Sequence, residues 1–255
     1  MLMLLENRMI YPAPPRSSGQ WLPADLGFEE VQFASADGTR LHGWFVPHPK
    51  PAATLLFCHG NAEHVAFLAA ELRWLNQTHA LQVLAFDYRG YGSSEGRPSE
   101  QGILQDAVAA RKWLAERSGE REESIVLMGR SLGGAVATYL AAHGSARGLI
   151  LDRTFDSMPE VAATHFRWVP VRRLMRNRYP AIEWIREYDG PLLQFHGGAD
   201  EIVPLLHGQR LFNACPAANK QLIIDPDLRH NDRWPSRFET KFQQFLQHHL
   251  ATRNQ

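Results

Sequence analysis

The run Gly129-Arg130-Ser131-Leu132-Gly133 places a serine between two glycines in the pattern Gly-x-Ser-x-Gly. It follows a short apolar stretch, residues 125–128, and opens an apolar stretch of helical length, residues 132–143. A serine at such a strand-turn-helix junction stands on a sharply turned backbone, where side chains two positions away would collide with neighbouring elements. The spacing therefore predicts that Ser131 is a nucleophile at the edge of a sheet.

A serine hydroxyl is a poor nucleophile at neutral pH, and it needs a histidine base that an acid holds in one tautomer. The chain order expected with this motif is serine, then acid, then histidine. Asp200 ends an apolar run that leads into a glycine-rich turn, and His230 follows the last apolar run, residues 222–224. Both positions lie beyond the carboxyl end of a predicted strand, where open α/β sheets bind ligands. We expect Ser131, Asp200 and His230 to form a catalytic triad.

Other acids compete with Asp200 for this role. Asp152 and Asp156 follow the sixth predicted strand, which is a second position from which a carboxylate could reach the histidine, and Asp225 and Asp227 precede His230. Turn and capping roles account for most such acids. Asp156 remains the alternative to Asp200.

Two backbone N–H groups are expected to stabilise the oxyanion that forms when a serine attacks a carbonyl. One belongs to Leu132, because a helix beginning there directs its first N–H groups and its positive dipole end at the serine. The other belongs to Asn61, in the run His59-Gly-Asn-Ala62 that follows the third predicted strand. His59 is interpreted as a residue that anchors this loop.

Short apolar runs alternate with segments of helical length, which is typical of an α/β fold with a mostly parallel sheet and helices on both faces. The first two of eight predicted strands form an antiparallel hairpin around Asp37-Gly38. The predicted strands are residues 31–34, 41–46, 54–58, 83–86, 125–128, 149–151, 192–195 and 222–224, and the main predicted helices are residues 65–77, 100–117, 132–143 and 237–250.

The chain divides into an N-terminal arm, residues 1–27, and one domain, residues 28–255. Prolines between residues 12 and 23 predict an irregular arm. Residues 158–190 are longer than a simple crossover requires, so we expect an inserted helical lid. Val171, Leu174, Met175 and Arg178 would share one face of its helix.

Composition excludes several classes of function. Lys plus Arg and Asp plus Glu each number 27, so the formal net charge is zero and a nucleic-acid partner is disfavoured. The two cysteines, Cys58 and Cys215, lack metal or redox spacing and are interpreted as buried apolar residues. Because no metal-binding pattern occurs, neither a metal nor a cofactor is expected. The apolar start of the chain is too short to span a membrane, so a cytoplasmic location is expected, although this start could be the remnant of a longer anchor.

Several motifs together resemble those of the α/β-hydrolase superfamily, in particular the serine aminopeptidase-like and monoglyceride lipase-like hydrolases. The resemblance runs from about residue 28 to the C-terminus. Many members carry a glycine shortly before the catalytic histidine, whereas this chain has Asp227-Leu-Arg229. The motifs are His59-Gly-Asn-Ala62, Asp87-Tyr-Arg-Gly-Tyr-Gly92, Pro98-Ser-Glu100, Gly129-Arg-Ser-Leu-Gly133 and Asp200-Glu-Ile-Val-Pro204.

The resemblance implies an α/β-hydrolase fold and hydrolysis of a small ester or lipid ester through an acyl-enzyme. An acyl-protein thioesterase or an aminopeptidase using the same triad is the alternative, and a non-catalytic ligand receptor is a third hypothesis. Residues 167–178 contain five arginines and no acid. They are either a solvated helix whose arginines pair with surface acids, or a contact for anionic membrane lipids in which Trp168, Val171, Leu174 and Met175 meet an apolar phase.

Overall fold

The structure is a computed structural model that describes residues 2–21 and 27–250, with side chains for residues 6–21 and 27–249. The described part of the chain contains one eight-stranded sheet in the order β1-β2-β4-β3-β5-β6-β7-β8. Its strands are β1 (Glu29–Ala34), β2 (Arg40–Val46), β3 (Ala53–Cys58), β4 (Leu81–Phe86), β5 (Val126–Arg130), β6 (Gly148–Asp152), β7 (Leu192–Gly197) and β8 (Lys220–Asp225).

Helices connect and cover these strands. None of the helices in the described ranges is long and apolar enough to cross a membrane. Short 3₁₀ turns lie at Val65–Phe67, Glu122–Ser124 and Ile185–Glu187, and the α-helices are α1 (Leu2–Ile10), α2 (Ala69–His79), α3 (Glu100–Ser118), α4 (Leu132–Gly144), α5 (Met158–His165), α6 (Val171–Leu174), α7 (Ala181–Trp184), α8 (Leu205–Ala214) and α9 (Ser236–Leu250).

The sheet is antiparallel only at its first edge. β2 pairs antiparallel with both β1 and β4, and every other neighbouring pair of strands is parallel. Parallel strands all end at the same edge, so the residues that follow β3, β5, β6, β7 and β8 are brought together there. The prediction of an eight-stranded, mostly parallel sheet with an antiparallel first hairpin is confirmed.

The two faces of the sheet carry separate cores because successive side chains of a strand point to opposite faces. On β5, Leu127 belongs to the core that α3, α4 and α8 also line, whereas Val126 and Met128 belong to the core that α2 and α9 line. The run of apolar residues on each central strand follows from burial of both faces. Cys58 and Cys215 are buried free thiols.

The predicted helix over residues 65–77 begins later than expected. Residues 65–67 form a 3₁₀ turn instead, and α2 starts at Ala69. The Val65 N–H donates to the buried carboxylate of Asp87 at 2.9 Å, which fixes the turn against the loop after β4. The Leu68 N–H donates to the Val65 carbonyl three residues back at 2.9 Å, so this first turn is 3₁₀ and α2 begins only after it.

The insertion over residues 158–190 is helical, but the one helical face predicted for Val171, Leu174, Met175 and Arg178 is wrong. The insertion holds three short helices, α5 to α7, and the backbone is extended at Met175. The N–H groups of Arg176 and Asn177 donate to the Glu6 carboxylate at 2.8 and 2.9 Å, so they are not available to continue α6. Val171 is buried and does not face outward with Leu174.

The N-terminal arm is partly helical. Residues 2–10 form α1, whereas residues 12–21 have no helix or strand, as the prolines predict. Of the predicted arm, residue 1 and residues 22–26 lie outside the described part of the chain.

Candidate active site

Ser131 stands at a tight turn between β5 and α4. Its backbone has φ +52° and ψ −118°, a strained conformation for a residue with a side chain. Its N–H donates to the Asp152 carbonyl at 2.9 Å, and the Thr154 hydroxyl donates to its carbonyl at 2.8 Å. The turn is therefore held from the neighbouring strand β6.

The flanking glycines are required by space. A Cβ on Gly129 would lie 2.1 Å from the carbonyl oxygen of Gly133, and one on Gly133 would lie 2.0 Å from the carbonyl oxygen of Cys58. A Cβ on Gly134 would lie 2.4 Å from the Thr154 side chain. The close approach of β5, α4 and β3 thus explains the Gly-x-Ser-x-Gly pattern in physical terms.

The structure brings Ser131, His230 and Asp200 together. His230 Nε2 lies 3.1 Å from Ser131 Oγ, and His230 Nδ1 lies 2.7 Å from Asp200 Oδ2. The other carboxylate oxygen of Asp200 accepts the N–H groups of Ile202 and Val203 at 3.0 and 2.7 Å. A proton on Nδ1 leaves Nε2 free to accept the serine proton, which is the arrangement that nucleophilic catalysis needs.

The competing acid Asp156 lies in a different pair. Its carboxylate is 2.8 Å from Nδ1 of His207 on α8, and it also accepts the Ser157 N–H at 2.7 Å. Asp156 and His207 are both buried. Among the described residues, buried Asp–His pairs also include His42 with Asp87, and the pair that contacts Ser131 uses Asp200.

His230 is positioned by a buried arginine that no sequence motif singled out. Arg153 Nη1 donates to the carbonyls of Arg229 and Asp232, at 3.2 and 2.7 Å, on either side of His230. Its Nε and Nη2 donate to the Asp152 carboxylate at 2.9 and 2.7 Å. This support holds the loop in which Asp227-Leu-Arg229 replaces the glycine of related proteins.

The loop after β3 is clamped by aromatic side chains. His59 is fully buried, packs against Tyr88 with tilted rings whose centroids are 4.1 Å apart, and has Nδ1 2.7 Å from the Gly60 carbonyl. Tyr88 donates its hydroxyl to the His59 carbonyl at 2.9 Å, and Tyr91 donates to Asn61 Oδ1 at 2.7 Å. These contacts agree with the interpretation of His59 as a loop anchor.

A second set of charges joins this loop to the serine turn. Glu63 Oε2 accepts the Gly60 N–H at 2.9 Å, and its Oε1 accepts from Arg130 Nη2 at 2.6 Å. Arg130 Nη1 donates to Glu71 at 3.0 Å. The residue between Gly129 and Ser131 thus ties the expected oxyanion loop to the nucleophile.

The buried charges shift one another's pKa values. Burial raises the pKa of Glu71, and Arg130 only partly offsets it. For Glu63 and Asp152, burial acts in the same direction, but the arginines beside them outweigh it and lower each pKa. Burial lowers the pKa of His59, which keeps that ring neutral.

The insertion reaches the acid loop. His165 at the end of α5 has Nε2 2.9 Å from the carbonyl oxygen of Ile202, two residues after Asp200. Within residues 2–21 and 27–250, no group of three or more His, Cys, Asp or Glu side chains could hold a metal ion.

Sequence reasoning selected the serine, aspartate and histidine that the structure brings together, but it missed the charged side chains behind them. Arg130 occupies a variable position of its motif, and Glu63 directly follows the His59 run, so their proximity to the predicted site was a usable signal. For Arg153, which directly follows β6, the sequence offered no signal except that an arginine stands next to an apolar strand.

Comparison with known proteins places the chain among hydrolases. The sequence model described as serine aminopeptidase, S33, matches residues 49–180. The uncharacterized protein Rv2307c of Mycobacterium tuberculosis is 40% identical over 232 residues, which are 89% of this chain and 81% of that protein. The alpha/beta hydrolase domain-containing protein WAV2 of Arabidopsis thaliana is 33% identical over 272 residues, which are 97% of this chain and 88% of that protein.

The fold is also shared with solved structures. The Pyrococcus furiosus esterase Pf2001 superposes with a TM-score of 0.77 at 21% identity, covering 93% of this chain and 99% of that one. Because the family model spans just over half of the sequence and the relatives align along most of it, the chain belongs to the serine aminopeptidase S33 family of serine hydrolases, within the α/β-hydrolase superfamily.

Proposed function

We propose that the protein hydrolyses carboxylic esters through an acyl-enzyme formed on Ser131. The observation that carries this proposal is the continuous hydrogen-bonded chain from Ser131 through His230 to Asp200, with distances of 3.1 and 2.7 Å. The strained serine backbone supports it, because such strain is concentrated at functional sites. The esterase activity named for the Pyrococcus structural neighbour is consistent with it.

The proposed reaction has two halves. Ser131 Oγ attacks the ester carbonyl carbon while His230 Nε2 takes the hydroxyl proton, and the proton then passes to the alcohol as the carbon–oxygen bond breaks. Water attacks the acyl-enzyme in the second half and gives one proton to His230, which returns it to Ser131 Oγ as the acyl–oxygen bond breaks and the acid leaves. Asp200 orients His230 and stabilises its charged form.

The negative oxygen of each tetrahedral intermediate would accept hydrogen bonds from the backbone N–H groups of Leu132 and Asn61. Leu132 is the first residue of α4, where N–H groups have no partner within the helix. Asn61 lies in the loop that Arg130 and Glu63 tie to the serine turn.

A fluorophosphonate probe tests the nucleophile directly. We expect the folded protein to be labelled at Ser131, and labelling to disappear in Ser131→Ala. Ser157→Ala is a matched control, since Ser157 precedes α5 without making a side-chain cap, and it should keep the label. A folded parent protein that is not labelled would contradict every hydrolase hypothesis and favour a ligand receptor.

The family name supplies the second candidate, an aminopeptidase, and an acyl thioesterase would use the same residues. An aminopeptidase must hold a protonated α-amino group, whereas the arginine-rich segment 167–178, which follows the His165 contact with the acid loop, carries the same positive charge and would repel it. We therefore expect kcat/KM to be higher for short aryl esters than for acyl thioesters or aminoacyl amides. A preference for aminoacyl amides would replace the ester proposal.

The insertion is proposed to rest on an anionic membrane surface. Trp168 is 99% exposed, and Phe166, Val169 and Leu174 are each about half exposed, at 47 to 60%. Arg172 is paired with Glu160 at 2.6 Å, whereas Arg173 on the same helix is exposed. An aromatic tip with basic neighbours suits a lipid interface, where each cation contributes about 1 kcal/mol.

Sedimentation with phosphatidylserine–phosphatidylcholine vesicles tests this contact. Trp168→Ser with Arg173→Glu should reduce binding at low salt and slow turnover of a vesicle-borne ester, but leave a short soluble ester unaffected. Val108→Ser, which alters an exposed apolar residue on α3, is the control. Absence of vesicle binding by the parent protein, or equal losses on both substrates, would exclude the proposal.

A further inference from the structure

The segment of residues 6–11, here called the N-terminal strap, lies against the expected oxyanion loop. The Asn61 side-chain amide donates to the carbonyl of Ile10, the last residue of α1. Its other end, Oδ1, accepts the Tyr91 hydroxyl at 2.7 Å. Both ends of the Asn61 side chain are therefore fixed, one by the domain and one by the strap.

The strap is itself anchored in the insertion through Tyr11. The Tyr11 hydroxyl donates to Asn177 Oδ1 at 2.7 Å and lies 2.9 Å from the Tyr179 hydroxyl. All three residues are buried, with Tyr11 5%, Asn177 5% and Tyr179 0% exposed. Burial raises the pKa of Tyr11, so its hydroxyl stays protonated and remains a donor.

Carboxylates reinforce the same junction. Glu6 accepts the backbone N–H groups of Arg176 and Asn177, and it also accepts from Asn177 Nδ2 at 3.0 Å. Glu100, at the start of α3, accepts the Tyr179 N–H at 3.0 Å. The strap, the end of the insertion and α3 thus form one hydrogen-bonded unit.

We propose that the N-terminal strap is a positioning element for the oxyanion loop, in which Tyr11 fixes the Ile10 carbonyl and that carbonyl fixes Asn61. Tyr11 and the Ile10 carbonyl share one peptide unit, so the buried tyrosine hydroxyl sets where the carbonyl can lie. This inference rests on the proposed function, because it concerns the loop expected to hold the oxyanion. The strap itself touches no reacting atom.

The position of the oxyanion-loop N–H group directly affects the rate of the proposed reaction. Oxyanion donors act at about 2.7–3.1 Å from the developing charge, and a displacement of about 1 Å costs roughly a hundredfold. A strap that only stabilised the fold would instead lower the melting temperature and leave turnover per folded molecule unchanged.

The test uses Tyr11→Phe, which deletes the hydroxyl and keeps the ring, together with Asn61→Ala and the double variant. We expect Tyr11→Phe to lower kcat on a short aryl ester by about 2- to 30-fold. It should weaken the binding of an aryl trifluoromethyl ketone by a similar factor, because Ser131 Oγ adds to the carbonyl of this inhibitor and forms an oxyanion. The matching methyl ketone, which forms no adduct, should bind unchanged.

The double variant separates positioning from general damage. If Tyr11 acts through Asn61, Tyr11→Phe should have no further effect on kcat in the Asn61→Ala background. Tyr188→Phe is the matched control, since it removes a hydroxyl that donates to the Pro191 carbonyl at 3.0 Å, at the opposite edge of the sheet. Additive losses of kcat, or equal weakening of both ketones, would overturn the proposal.

Hydrogen–deuterium exchange gives a readout that does not require turnover. Tyr11→Phe should speed amide exchange in the peptide that contains residues 59–63, and Tyr188→Phe should not. Unchanged exchange there would overturn the strap proposal even if the parent is an active esterase. If Tyr11→Phe speeds exchange there but the parent protein has no esterase activity, the strap is supported and the proposed function is rejected.

Discussion

Replacing Asp200 by asparagine isolates the role of one charge in the proposed triad. The new side chain can keep the Oδ1 contacts with the N–H groups of Ile202 and Val203, at 3.0 and 2.7 Å in the parent. Its NH₂ group then faces His230 Nδ1 at the position where a carboxylate oxygen now lies 2.7 Å away. Two donors cannot meet there, so the ring should adopt the tautomer with its proton on Nε2.

That tautomer directs a donor at Ser131 Oγ, 3.1 Å away, where an acceptor is needed. The serine proton then has no base, and the imidazolium loses its counter-charge. We expect kcat on a short aryl ester to fall by about 10³- to 10⁴-fold, equivalent to about 4–5.5 kcal/mol of transition-state stabilisation.

The chain supplies a matched control in another buried Asp–His pair. Asp156→Asn makes the same substitution beside His207, where the parent distance is 2.8 Å, and it should change kcat by less than tenfold. Both variants are assayed at equal concentrations of folded protein, as measured by near-ultraviolet circular dichroism. Near-parental activity of Asp200→Asn, or a comparable loss in Asp156→Asn, would refute the reasoning.

Three predictions concern stability. Gly129→Ala should lower the free energy of unfolding by at least about 1–3 kcal/mol, measured by urea denaturation, because its Cβ would lie 2.1 Å from the Gly133 carbonyl oxygen. Trp234→Phe should lower the free energy of unfolding by about 1.5–3 kcal/mol, because the indole N–H donates to the buried Asp152 carboxylate at 3.0 Å. A change below about 0.5 kcal/mol would show that water replaces this hydrogen bond. Burial lowers the pKa of His59 and His196, so the unfolded chain binds protons that the folded chain does not. Stability should therefore be full above the unfolded histidine pKa of about 6.5 and fall below it, by up to about 1.4 kcal/mol per pH unit for each ring, and a flat denaturation midpoint from about pH 7.5 to 5.5 would contradict this.

The sequence by itself determined the features that depend on neighbouring residues. Gly129 and Gly133 predict the serine turn because the steric limits of a strand-to-helix junction are local. Apolar runs predict the parallel strands because both faces of the sheet are buried. Since the strands must end at one edge, the same reasoning selected Ser131, Asp200 and His230 as residues that could meet.

Tertiary structure decided what depends on contacts between distant parts of the chain. Two acids were open to His230, and the packing of α8 gives Asp156 a different histidine, 51 positions away. The lid helix was predicted from the spacing of Val171 and Leu174, but Glu6 takes the backbone N–H of Asn177 from 171 positions away. A local pattern cannot show that a distant carboxylate takes a backbone N–H group from a helix, because helical periodicity reports only which residues of one segment share a face. The contacts of Tyr11 with Asn177, and of the Ile10 carbonyl with Asn61, exist only once the sheet has brought those loops to its edge.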